Sequence, residues 1–150
     1  MQRSIPNKKP LKYLLFVTLF VVYVGLSSIY LFLPPLLGVL FFLFIKSLKN
    51  HDTIAILLVA FCLLIFESEK GYFLFNTIIY FWLVYKFVLP KLEQNFNCSI
   101  CIKLAIILLA YIGFYFFNLL MSTVFLLPLV GISYYIIYYI IVEFLIVNFL

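Results

Sequence analysis

Few side chains in this sequence could do chemistry, and they are widely spaced. Cys98 and Cys101 stand as C-x-x-C in "NCSIC", the spacing of a thiol–disulfide couple or of half a zinc site. A zinc site needs more ligands, yet Cys62 lies inside an apolar run and the single histidine, His51, falls in another segment. The acids are as sparse. Glu67 follows "LLVAFCLLIF" and precedes Glu69, Lys70 and Gly71. It therefore sits at the rim of a hydrocarbon stretch, where it either turns inward to Lys70 or to a polar group of a neighbouring helix, or reaches the headgroups. Glu143 lies in "YYIIYYIIVEFLIVNFL", seven residues before the last, or roughly 10 Å along a helix. An acid at that depth ordinarily faces protein and a cationic partner. Lys86 fits that role, and hydration near the membrane surface is the alternative. With no G-x-S-x-G, phosphate loop or histidine cluster, the expectation is a non-enzyme with no catalytic residue, cofactor or metal.

The elements that must position these residues are dictated by composition. Of 150 residues, 68% are hydrophobic and 10% charged, against roughly 25% charged in a soluble domain. That is too little polarity to coat a water-facing surface, so the sequence predicts an all-α polytopic membrane bundle in a single domain. Helices are required because lipid offers no partner to free backbone groups. After a basic start at 1–12, six apolar segments follow, at about 13–33, 36–45, 53–66, 72–89, 102–121 and 124–150, the fourth closed by Pro90. The first is too long for the apolar core of a signal peptide and is read as an uncleaved span. The second and third are short for a crossing of about 20 residues. They are read as two short spans, in preference to a re-entrant hairpin that would carry "KSLKNHD" to membrane depth at about 2.5 kcal/mol or more per charge.

The cations sort by leaflet. With the N-terminus inside and six spans, Arg3, Lys8, Lys9 and Lys12, then Lys46 and Lys49, then Lys86, Lys91 and Lys103 all fall inside, and only Lys70 falls outside. Positive charge favours the cytoplasmic side, so both ends are placed in the cytoplasm. The net charge of +5 then reads as topology and contact with anionic lipid, and not as the basic face of a nucleic-acid binder. "ESEKGY" becomes an external turn in which Gly71 permits a tight reversal, with Tyr72 and Phe73 opening the next helix. The same topology puts Cys98 and Cys101 in the reducing cytoplasm, the wrong side for a membrane thiol oxidoreductase.

The remaining candidates are structural or interfacial. Asn76, Asn118 and Asn148 are expected to bond neighbouring helices, each worth about 0.6 kcal/mol. Gly38, Gly113 and Gly131 stand singly, without G-x-x-x-G. Tyr134, Tyr135, Tyr138 and Tyr139 recur at helical spacing and predict a stripe on span six. That stripe serves either packing and interfacial anchoring or a contact surface for another membrane protein. No internal repeat of the kind that builds transporters is evident.

The order of features resembles the MreD family, bacterial rod-shape-determining membrane proteins. The resemblance lies in "LPPLLGVLFFLFIKSLKNHD" and "LLVAFCLLIFESEKGYFLFNTIIY": a proline-led approach to a span, a short basic linker, then an acid and a small-residue turn leading into the next span. Glu67 would be the family's acid and Gly71 to Phe73 its turn, although the family often has aspartate and two glycines there. The last span is similar in placement only. The resemblance implies a scaffold subunit of the wall-elongation complex in the bacterial cytoplasmic membrane, with MreC, RodA and a class B penicillin-binding protein as partners besides lipid. The family fold is similar to that of substrate-binding subunits of vitamin transporters, so a small-molecule capture subunit is the alternative function.

Overall fold

The computed structural model of the protein describes residues 8–126, 128 and 134–150. Among these residues the chain forms six helices and no strand. They are α1 (Lys8–Ile29), α2 (Leu37–Asn50), α3 (Thr53–Lys70), α4 (76–95), α5 (Ser99–Phe125) and α6 (Ile136–Phe149). Two stretches, Leu11–Ile29 of α1 and Ser99–Phe125, are long and apolar enough to cross a membrane, and α6 is apolar but shorter.

The short second helix is the hub. α2 packs against α3, α5 and α6, while α1 lies against α3, and α4 against α3 and α5. Phe41 and Leu40 of α2 are fully buried, and Phe41 stacks on Phe81 of α4 with ring centroids 4.3 Å apart. A helix of 14 residues is about 21 Å long. Protein surrounds it on several sides.

The buried core is mostly apolar yet encloses several polar groups, and much of the outer face is apolar as well. Glu67 and Glu143 are wholly enclosed, and Asn76, Thr77, Ser27 and Ser47 are buried with them. Leu14, Leu19, Phe116, Val124 and Ile137 are all more than half exposed. An outer face this apolar suits an apolar solvent.

Several boundaries differ from those read in the sequence, each for a local reason. α1 ends at Ile29 rather than near 33, and the 30–36 connection is drawn inward by two tyrosines: Tyr23 Oη donates to the Pro34 carbonyl at 2.7 Å, and Tyr139 Oη to that of Leu31. α2 continues past 45 through Lys46 and Lys49 to Asn50, where long cationic stems can lie along the helix. It stops at His51, in the left-handed region (φ +55), with Asp52 N–H wrapping back to the Ser47 carbonyl. α3 extends four residues beyond 66 and closes on Gly71 (φ +69), with Tyr72 N–H donating to the Glu67 carbonyl at 3.0 Å. That left-handed closure favours glycine. Tyr72 and Phe73 therefore belong to the turn, and α4 begins only at Asn76.

Nor does Pro90 end α4. The helix widens into a π segment at Val84–Val88, immediately before the proline, and runs on to Asn95. A π segment is one way for a helix to absorb the N–H that proline lacks. α5 starts at Ser99, before Ile102, and continues through Val124 and Phe125, which therefore do not open the last span. The start of α6 is at Ile136, so Tyr134 and Tyr135 precede it. Arg3, Gly131 and part of the 124–135 stretch lie outside the described residues.

Candidate functional site

Both buried acids cap the start of another helix. Glu143, midway along α6, points at the first turn of α2: its Oε2 accepts from Gly38 N–H at 2.6 Å and from Val39 N–H at 3.2 Å. Its Oε1 accepts from the Tyr111 hydroxyl of α5. The first N–H groups of a helix have no partner within it and carry partial positive charge, so one carboxylate answers both needs. The approach depends on Gly38. A Cβ there would lie 2.6 Å from Glu143 Oε2 and 3.3 Å from Ile107. The residue before the helix, Leu36, adopts φ +56, a conformation that costs about 1–2 kcal/mol outside glycine.

Glu67 repeats the arrangement at α4. Its Oε2 accepts from Phe75 N–H at 2.7 Å, and its Oε1 from both the N–H and the hydroxyl of Thr77 at 2.5 Å. Phe75, again the residue before the helix, has φ +67. The cation expected for Glu143 is thus replaced by a helix start, and of the partners open to Glu67 it is a polar residue of the neighbouring helix, Thr77, that it meets. Glu67 does not pair with Lys70, and Lys86 lies over the Trp82 ring at 5.0 Å instead of reaching Glu143. A helix N-terminus offers several directed N–H donors, which a lysine stem at membrane depth could match only by burying its own charge.

The structure brings Asn76 and Asn118 together, Nδ2 of the first donating to Oδ1 of the second, so that α4 and α5 are joined. Tyr80 Oη donates to the Leu109 carbonyl at 2.7 Å, where α5 carries its own π segment at Leu109–Gly113. Gly113 faces that hydroxyl, and a Cβ there would collide with it. The tyrosine stripe divides. Tyr134 is fully exposed and Tyr138 partly so. Phe32, from the α1–α2 connection, sits against Tyr138 and Tyr135 at centroid separations of 5.2 and 6.4 Å. Tyr139 is buried and spends its hydroxyl on Leu31, so of the two uses open to the stripe this residue takes the packing one.

A cavity of about 690 Å³ opens at the end of the bundle that holds the α1–α2 and α3–α4 connections. Its walls are largely apolar, with Phe66, Phe114, Leu119 and Ile136 among them. Ser27, Lys70, Asn76, Asn118, Tyr111 and Tyr139 supply polar atoms. Volumes of about 300–1,000 Å³ suit small organic ligands. Gly71 lines the same space. At the opposite end of α2, Lys49 pairs with Glu93 of α4 on the surface.

Cys98 and Cys101 are exposed at the start of α5, and Cys62 is buried in α3. Among the described residues no group of three or more His, Cys, Asp or Glu is placed to hold a metal. Tyr111, Thr77, Gly38 and Tyr23 carry the geometry without having stood out individually in the sequence. The one available signal was the proline pair before Gly38, which forces an irregular helix start. No family model matches the chain, and neither a curated protein nor a solved structure matches it.

Proposed function

We propose that the protein is a non-enzymatic scaffold subunit with six membrane spans, both ends cytoplasmic, in the bacterial cytoplasmic membrane. Its partners would be the wall-synthesis proteins that the MreD resemblance implies: MreC, RodA and a class B penicillin-binding protein. The observation that carries the scaffold reading is the use made of the two buried acids. Glu67 and Glu143, the only carboxylates enclosed in the described bundle, are occupied by helix starts. Both enclosed carboxylates thus serve architecture. The acid-and-turn motif on which the resemblance rests then reads as a device for starting α4 inside the membrane. The aromatic edge of Phe32, Tyr134 and Tyr138 supplies a surface of the kind that carries most binding energy at interfaces.

Affinity capture of the full-length protein from mild detergent should recover wall-synthesis partners, and depletion should round rod-shaped cells. The paired change Phe32→Ala with Tyr138→Ala should weaken capture while leaving the bundle folded. Normal cell shape after deletion, with the protein recovered alone, overturns the proposal. The cavity favours one second reading, a small-molecule capture subunit. That reading expects a ligand to stay bound through purification, detectable by mass spectrometry of the denatured sample, and to be lost in Asn118→Leu.

A further inference from the structure

The connection between α4 and α5 holds a second, separate chemistry. Cys98 is the residue before α5, with extended φ −92 and ψ 118, and its carbonyl accepts from Ile102 N–H at 3.2 Å. Cys101 follows one turn later, on the same side of the helix start. Both thiols are free and exposed. A pair so spaced can close a disulfide without moving the backbone, because residues three apart in a helix turn fall within the separation that disulfides span.

We propose that Cys98 and Cys101 form a reversible dithiol–disulfide site that exchanges with low-molecular-mass disulfides of the glutathione class. Cys98 is the attacking sulfur, since it precedes the helix start, whose unpaired N–H groups favour a thiolate there, and the neighbouring Cys101 thiol holds it below the ordinary cysteine range. The Cys98 thiolate attacks one sulfur of the disulfide RSSR. A Cys98–SR mixed disulfide forms, and RS⁻ leaves and takes a proton as RSH. Cys101 then loses its proton and attacks Cys98 Sγ, which expels a second RS⁻ that is protonated in turn. The protein gives up two electrons and two protons, and RSSR becomes two RSH. On the topology proposed above, the pair faces the cytoplasm, where the dithiol is the resting form and the disulfide appears only when the thiol pool is oxidised. The chemistry itself needs neither that topology nor any partner.

The test uses the full-length protein in detergent, equilibrated across ratios of oxidised to reduced glutathione, with thiols counted by alkylation after denaturation. The wild type should lose two of its three thiols without keeping a glutathione adduct, and should regain both in excess reduced glutathione. Buried Cys62 should stay reactive only after denaturation. Because Cys98 and Cys101 lie between Lys91 and Lys103, one tryptic peptide carries both, and its mass should fall by two hydrogens. Cys101→Ser should retain glutathione on Cys98, and Cys98→Ser should acquire it on Cys101 about tenfold more slowly. Wild-type peptide that carries glutathione on each cysteine, or that keeps two free thiols at ratios where Cys101→Ser is glutathionylated, overturns the proposal. The wild-type peptide decides this even if a variant fails to fold.

Discussion

Helices α2 and α4 begin in the same way, yet their glutamates come from very different places. Each start is preceded by a non-glycine residue in the left-handed region, Leu36 or Phe75, and each turns its first N–H groups onto an enclosed carboxylate. For α4 the acid is Glu67, within ten residues along the chain. For α2 it is Glu143, more than a hundred residues away. The first cap can form as soon as the α3–α4 turn folds. The second forms only when α6 docks, so it also locks α2, α5 and α6 together through Tyr111. The same chemistry is local bracing in one place and a tertiary clasp in the other.

Removing each acid tests that difference. Glu143→Leu strands two N–H groups and a tyrosine hydroxyl inside the bundle, each worth about 1–3 kcal/mol. It should destabilise the protein by about 3–5 kcal/mol, read as a lowered thermal midpoint in detergent, with Glu143→Gln losing less because an acceptor oxygen remains. Glu67→Leu also strands two N–H groups and a hydroxyl, but Phe75 N–H is only part-buried and can reach water, so it should cost less, about 2–4 kcal/mol. Its effect should stay local. Amide hydrogen exchange should accelerate at 75–79 and leave 37–41 protected, whereas Glu143→Leu should do the reverse. Equal acceleration of both starts in both variants would mean that the two caps are one cooperative unit.

The glycines sharpen the comparison one step down. Gly38→Ala should cost about 1–3 kcal/mol, because the new methyl meets a carboxylate in a packed interior. Gly71→Ala meets open space, so only its left-handed backbone (φ +69) penalises the change, at about 1–2 kcal/mol. In double variants with Glu143→Leu, the Gly38→Ala cost should shrink markedly and the Gly71→Ala cost should simply add. Smaller again, Asn118→Leu should cost about 0.6 kcal/mol through its lost bond to Asn76. Glu93→Gln should cost at most about 1 kcal/mol, since its pair with Lys49 is solvent-facing and screened.

Legibility followed distance along the chain. Gly71 announced its turn because a left-handed closure favours glycine, and Glu67 announced itself as a charge at the edge of oil. Glu143 was conspicuous as an acid among isoleucines and tyrosines, but its partners were hidden. Backbone N–H groups have no residue letter, and Gly38 looked like any lone small residue. The tyrosines at 134, 135, 138 and 139 gave a spacing without a direction. Tyr139 turned inward because the Leu31 carbonyl, freed where α1 stops, needed a donor. Pro90 read as a terminator because the π segment that carries the helix past it, at Val84–Val88, leaves no mark in the residue types.

Composition and periodicity alone determined that the chain is helical and marked six apolar segments, which overlap the six helices of the described residues although the last helix starts at Ile136 and not near 124. Apolar length and the cost of bare backbone in oil leave little else possible. Which helix is central, which tyrosine is buried and which helix each acid serves were decided only by tertiary packing. A carboxylate is satisfied by whatever donors the fold brings within about 3 Å, and that proximity is a property of the assembled bundle, not of any segment within it.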